Sequence, residues 1–138
     1  MKRSASFLIS LCALVVLLAG CQINPFTKAL VVVNNGSTPI SAVTINQYIT
    51  QSSKTVLRPN ALLNGATIPV GGQEKFYLSP FSYSVNSSGY ASLFVDNGVN
   101  STTVRFTFDA KVYDDLTATF DGTNIVMSGS GVLVDYPQ

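Results

Sequence analysis

The chain has 138 residues, with eight Lys/Arg against seven Asp/Glu, two cysteines and no histidine. Without histidine, Ser-His-Asp and Cys-His catalysis and every imidazole metal site are excluded. No basic run or stripe is present, which argues against nucleic acid as a partner. The length suits one domain with one core, burying about two thirds of its surface.

Residues 1–20 read as an export signal. Lys2 and Arg3 supply a positive start, and Phe7 to Ala19 form an apolar run broken only by Ser10. A bilayer span needs about 20 apolar residues, whereas a signal-peptide core needs roughly 7–15. The small pair Ala19-Gly20 gives a peptidase access to the backbone before Cys21. Leu18-Ala19-Gly20-Cys21 closely resembles the lipobox of bacterial lipoproteins. The resemblance implies cleavage between Gly20 and Cys21, a diacylglycerol thioether on Cys21 and, usually, acylation (palmitate or a similar chain) of the new amino terminus. Gln22 implies sorting to the outer membrane. Two or three chains, at about 0.8 kcal/mol per buried methylene, make a stable anchor where one does not.

Cleavage would remove Cys12 and leave Cys21 alkylated, so neither a disulfide nor a free thiolate is expected. Residues 22–28, from Gln22 to Lys28, are the expected tether, reaching roughly 23 Å at about 3.3 Å per residue. So short a tether predicts a domain facing the periplasm rather than the cell surface.

From residue 29 to 138 the pattern predicts a single antiparallel β-sandwich of about eight strands, all-β throughout. Val, Ile, Thr, Phe and Tyr dominate between Asn, Gly, Ser and Pro clusters. Ala29 to Asn34 is apolar enough for a buried strand, Asn35 to Thr38 turns it, and Pro39 to Asn46 follows as a second strand. Gln47 to Gly72 is the least legible part, with short strands or bridges between turns. Gln73 to Leu78 and Tyr90 to Asp96 resume as strands. In Phe76 to Tyr83, the densest aromatic stretch, Phe76 and Leu78 are expected in the core and Tyr77 at the surface.

Thr103 to Tyr113 alternates most cleanly: Val104, Phe106, Phe108, Ala110 and Val112 face inward, and Arg105 and its odd-numbered neighbours face water. Asp114-Asp115 leads into Leu116 to Phe120, with Leu116, Ala118 and Phe120 inward. Asp121-Gly122 has the residues of a two-residue type I′ hairpin turn into Asn124 to Ser128. A Ser-Gly-Ser-Gly turn and Val132 to Val134 close the domain.

Residues 29–78 also resemble a small β-sandwich type found in exported bacterial proteins, largely of unknown function. Asn34-Asn35, Pro39-Ile40, Asn60, Leu62-Leu63, Pro69 and Gly72-Gln73 carry the likeness. Val70 and Gly71 intrude where that pattern joins proline to glycine, and Ser82 to Val85 is the nearest match to its Gly-x-Tyr-x strand. The resemblance implies a fold rather than an activity.

No chemistry emerges from the remaining motifs. Ser-x-x-Lys, the Gly-x-Ser-x-Gly elbow and phosphate-cradling glycine loops are missing, and Glu74 is the only glutamate. No catalytic residue and no cofactor are expected. Calcium takes oxygen ligands, which makes Asp96, Asp114, Asp115 and Asp121 the metal candidates, against the simpler reading of Asp and Asn as turn formers. Asn35, Asn86 and Asn100 begin glycan acceptor patterns and are read as turns.

These features predict a membrane-anchored, non-enzymatic lipoprotein of the cell envelope, a binding or structural module. Its expected partners are the membrane, through Cys21, and an unknown envelope protein or glycan. The alternative is a surface-exposed carbohydrate- or calcium-binding adhesion domain.

Overall fold

The structure, a computed structural model, describes residues 28–49, 54–78, 88–109 and 114–134. The export signal, Gly20, Cys21 and most of the tether lie outside these residues, as do Phe81, Tyr83, Ala110 and Val112. Among the described residues the fold is all-β, with no helix. Nine strands form: β1 (Ala29–Asn34), β2 (Ala42–Ile49), β3 (Lys54–Arg58), β4 (Gln73–Tyr77), β5 (Ser88–Asp96), β6 (Ser101–Asp109), β7 (Leu116–Phe120), β8 (Ile125–Ser128) and β9 (Leu133–Val134).

They build two sheets, ordered β4-β1-β7-β8 and β3-β2-β5-β6-β9. The inner faces share one core. Leu30, Val32, Phe76, Leu116, Ala118 and Phe120 from the first sheet meet Val43, Ile45, Ala91, Leu93, Val95, Phe106 and Phe108 from the second. This is the arrangement of a β-sandwich. Each large side chain so buried contributes about 1.5–3 kcal/mol relative to its exposed state. Phe106 and Phe108 lie with ring centroids 5.9 Å apart, tilted by 40°. Gly89, directly across from Phe108, leaves room for that ring.

Four sequence expectations need correction. The sandwich is not purely antiparallel: β1 pairs with β4 antiparallel and with β7 parallel. Asn35 to Thr38 does not make a hairpin, because β1 and β2 belong to different sheets and this segment crosses between them. The second strand begins later, at Ala42, and runs on to Ile49; Pro39 stays outside it, and Ile40 makes an isolated bridge to Ile68. Finally, Phe120 pairs with Ile125, so the β7–β8 turn centres on Gly122-Thr123, one residue beyond the expected Asp121-Gly122. Asp121 instead accepts at Oδ1 from the amides of Thr123 (2.8 Å) and Asn124 (2.7 Å).

Different groups close the two ends of the sandwich. At one end the Asn34 side chain is buried. Its Nδ2 donates to the carbonyls of Thr38 (2.9 Å) and Ile68 (3.0 Å), and its Oδ1 accepts from the amide of Gly36 (3.0 Å). The Asn34 backbone also pairs with Gly71 and Gly72. Asn100 Nδ2 donates to Gly122 O at 3.0 Å and draws a neighbouring turn onto the same end. At the opposite end, a six-residue strand or roughly 20 Å away, lies Lys28. The last residue of the expected tether is thus part of the folded body. Its side chain is buried, donating to Asp109 O (2.8 Å) and pairing with Asp114 Oδ1 (3.4 Å).

Candidate functional site

Successive residues of a strand alternate between faces, so the register states which side chains share the outer face of the five-stranded sheet. Two neighbouring rows cross it. One runs Thr55, Tyr48, Tyr90, Thr107 and the other Leu57, Asn46, Ser92, Arg105. Asn46, Tyr48, Thr55, Tyr90, Ser92 and Arg105 line an open depression of about 250 Å³. It spans four strands, hence three interstrand spacings of about 4.8 Å, or roughly 14 Å. Tyr48 and Tyr90 are directly paired across β2 and β5. Tyr48 is 38% exposed, and Tyr90 is half-buried.

Arg105 is exposed, and its guanidinium makes no ion pair or hydrogen bond among the described residues. None of the described residues that line the depression is acidic. The described residues of the site therefore offer two phenol rings, a planar cation with no partner among them, and hydroxyl and amide groups. Among the described residues that line it there is no nucleophile-base pair.

The sequence places Arg105 on the water-facing side of its strand, and it is there. Tyr48 is less accessible to sequence reading because Gln47 interrupts the apolar inward series Val43, Ile45. A polar residue at an inward position reads as the end of a strand. Gln47 is nevertheless buried, with a bonding partner, and the strand continues through Tyr48. Phe76 and Leu78, expected in the core, are buried, and Tyr77, expected at the surface, is 58% exposed.

The four candidate calcium ligands are distributed over both ends. Asp96 lies at the Asn34 end, where its Oδ1 accepts from Gly98 N at 2.6 Å. Asp121 is at the same end, committed to its own turn as described. Asp114 and Asp115 lie at the Lys28 end. Asp115 pairs with Lys75 at 2.6 Å, an exposed contact of little energetic weight. Among the described residues, no group of three or more carboxylate, thiol or imidazole side chains is placed to hold a metal ion. The carboxylates of Asp96 and Asp121 satisfy turn amides, the role that makes Asp common in turns.

Asp114 does more: its Oδ2 accepts from the hydroxyl (2.8 Å) and amide (3.0 Å) of Ser130, while Oδ1 faces Lys28. The Ser130 hydroxyl above all holds its carboxyl below the usual carboxylate range; desolvation opposes it, and the Ser130 amide and the Lys28 charge add to the lowering. The Asn124 and Thr123 amides do the same for Asp121. A carboxyl with a depressed folded-state pKa adds stability that is present above its unfolded pKa of about 3.9 and is lost as pH falls through the folded value. Thermal melts should therefore drop below about pH 4, and Asp114→Asn should flatten part of that drop. An unchanged pH dependence in Asp114→Asn would refute the assignment.

No family model, curated protein or solved structure matches this chain.

Proposed function

We propose that this protein is a lipid-anchored, non-enzymatic binding module of a bacterial cell envelope, held to its membrane through Cys21. The observation that carries the reading is Leu18-Ala19-Gly20-Cys21 directly behind a charged and then apolar leader. Support for the non-enzymatic part comes from the absence of histidine along the whole chain and from the chemistry of the sheet-face depression.

The fold adds a geometric consequence. With Lys28 packed into the body, only six residues, 22–27, separate it from Cys21, a reach of roughly 20 Å at about 3.3 Å each. The Lys28 end then faces the leaflet, and β1 carries the chain away from it towards the Asn34 end. The five-stranded sheet presents its outer face sideways, parallel to no leaflet and open to soluble or wall-bound ligands. In this reading the anchor is in the outer membrane and the body faces the periplasm.

Replacement Cys21→Ser tests the anchor. The variant should leave the membrane fraction entirely for the soluble one, and mass spectrometry of the native protein should show a chain beginning at a diacylglyceryl-modified Cys21. Retention of Cys21→Ser on membranes would refute the reading. The alternative, a surface-exposed adhesion domain, differs in orientation: protease added to intact cells would remove it, whereas a periplasmic body would survive.

A further inference from the structure

We propose that the depression on the outer face of the five-stranded sheet binds an acidic saccharide, with Arg105 holding the carboxylate of a uronic acid unit and Tyr48 and Tyr90 supporting its sugar rings. The proposal deepens the binding-module reading but does not depend on the anchor. Three features on that face carry it. Among the described residues Arg105 is a guanidinium without a partner, and none of those lining the depression is acidic. Arginine is suited to carboxylates because its planar fork donates two parallel hydrogen bonds.

Tyr48 and Tyr90, adjacent by register, supply broad and rigid apolar contact with a polar tip, at low cost in side-chain entropy. Asn46, Thr55 and Ser92 complete the lining with donors and acceptors of the kind that sugar hydroxyls require. The distribution along the face also fits. Arg105 and Thr55 stand on the outermost of the four strands, roughly 14 Å apart across the sheet, which accommodates more than one sugar unit. A simple anion would use Arg105 and leave the tyrosines idle; a neutral sugar would leave the guanidinium unpaired.

The test uses the purified full chain carrying Cys21→Ser, which separates ligand binding from anchoring. Isothermal titration compares an oligogalacturonate, the same oligomer with its carboxyls methyl-esterified, and inorganic phosphate. The acidic oligomer should bind at least tenfold more tightly than its ester, and phosphate should bind no better than the ester. The preference should shrink as salt is raised, since an exposed charge contact is screened. Arg105→Gln should abolish the preference while leaving the melting temperature unchanged, because its side chain is exposed. Tyr48→Ala should weaken acid and ester alike; Tyr48→Phe, which keeps the ring, should restore most of that loss. Equal affinity for acid and ester, an unaltered preference in Arg105→Gln, or tighter binding of phosphate than of the oligomer would each overturn the proposal.

Discussion

Replacing Asn34 by alanine should lower stability by about 3–4 kcal/mol, because a stranded buried hydrogen-bonding group costs about 1–3 kcal/mol and this side chain serves three. Its amide donates to Thr38 O and Ile68 O, and its carbonyl accepts from Gly36 N. Truncation at Asn34, which is 0% exposed, strands the buried Ile68 carbonyl and Gly36 amide and the half-buried Thr38 carbonyl. For a domain of this size the melting temperature should fall by roughly 10–15 °C. A fall of less than about 3 °C would show that water takes over the bonds and that the end is not organised by this residue.

Asn34→Asp sharpens the test. It keeps the acceptor for Gly36 but presents a carboxylate to two carbonyls, so the variant should be unstable at neutral pH. Burial and the facing carbonyl dipoles raise the pKa of such a carboxyl, and its protonated form can donate. Stability relative to the native protein should therefore recover in part as pH falls. Recovery would separate a hydrogen-bonding role from a purely steric one.

Gly89→Ala should be nearly as damaging for an unrelated reason. A β-carbon at Gly89 would lie 2.2 Å from Cζ and 2.3 Å from Cε2 of Phe108, far inside contact distance. Phe108 is itself 1% exposed, so its ring has no free space to enter. Overpacking costs about 1–3 kcal/mol, and full loss of a buried phenylalanine about 3–5. The expected destabilisation is about 3 kcal/mol.

The double variant Gly89→Ala/Phe108→Leu should be more stable than Gly89→Ala alone, since the shorter side chain vacates the space that the methyl needs. This is a coupling of opposite sign to simple additivity. Urea or thermal melts of the four proteins in that cycle measure it directly. If the two changes merely add, the ring and the glycine do not share that space. Gly98→Ala provides a contrast: nothing lies within 4 Å of its added β-carbon, and the cost arises only from the φ of +77°. That cost should be about 1–2 kcal/mol.

Asn34, Ile40, Asn60 and Pro69 have structural roles. Asn34 ties three segments together, Ile40 bridges to Ile68, and Asn60 Oδ1 accepts from the amides of Leu62 (3.2 Å) and Val43 (3.5 Å). Pro69 O accepts from Gly72 N at 2.9 Å, and the Gly72 position packs against the proline ring. Residues of this kind specify how loops close over a core. They lie apart from the residues that line the sheet-face depression.

Local physics made a good part of the molecule readable. Val104, Phe106 and Phe108 face inward because strand geometry has a period of two, and a window of a few residues exposes it. Leu116, Ala118 and Phe120 follow the same rule, and the Asp and Asn turns are legible because those side chains satisfy their own nearby amides. What a strand pairs with is not local. A segment such as Asn35 to Thr38 uses the same residues whether it folds a hairpin or crosses between sheets, so the pattern cannot assign β1 to the sheet of β7 rather than that of β2. The parallel β1–β7 pair and the burial of Lys28 against Asp109 and Asp114 arise from contacts more than 80 residues apart in sequence. The same holds for the meeting of Tyr48, Tyr90 and Arg105. Each is an ordinary outward residue of its own strand, and only the order of strands in the sheet makes them one surface.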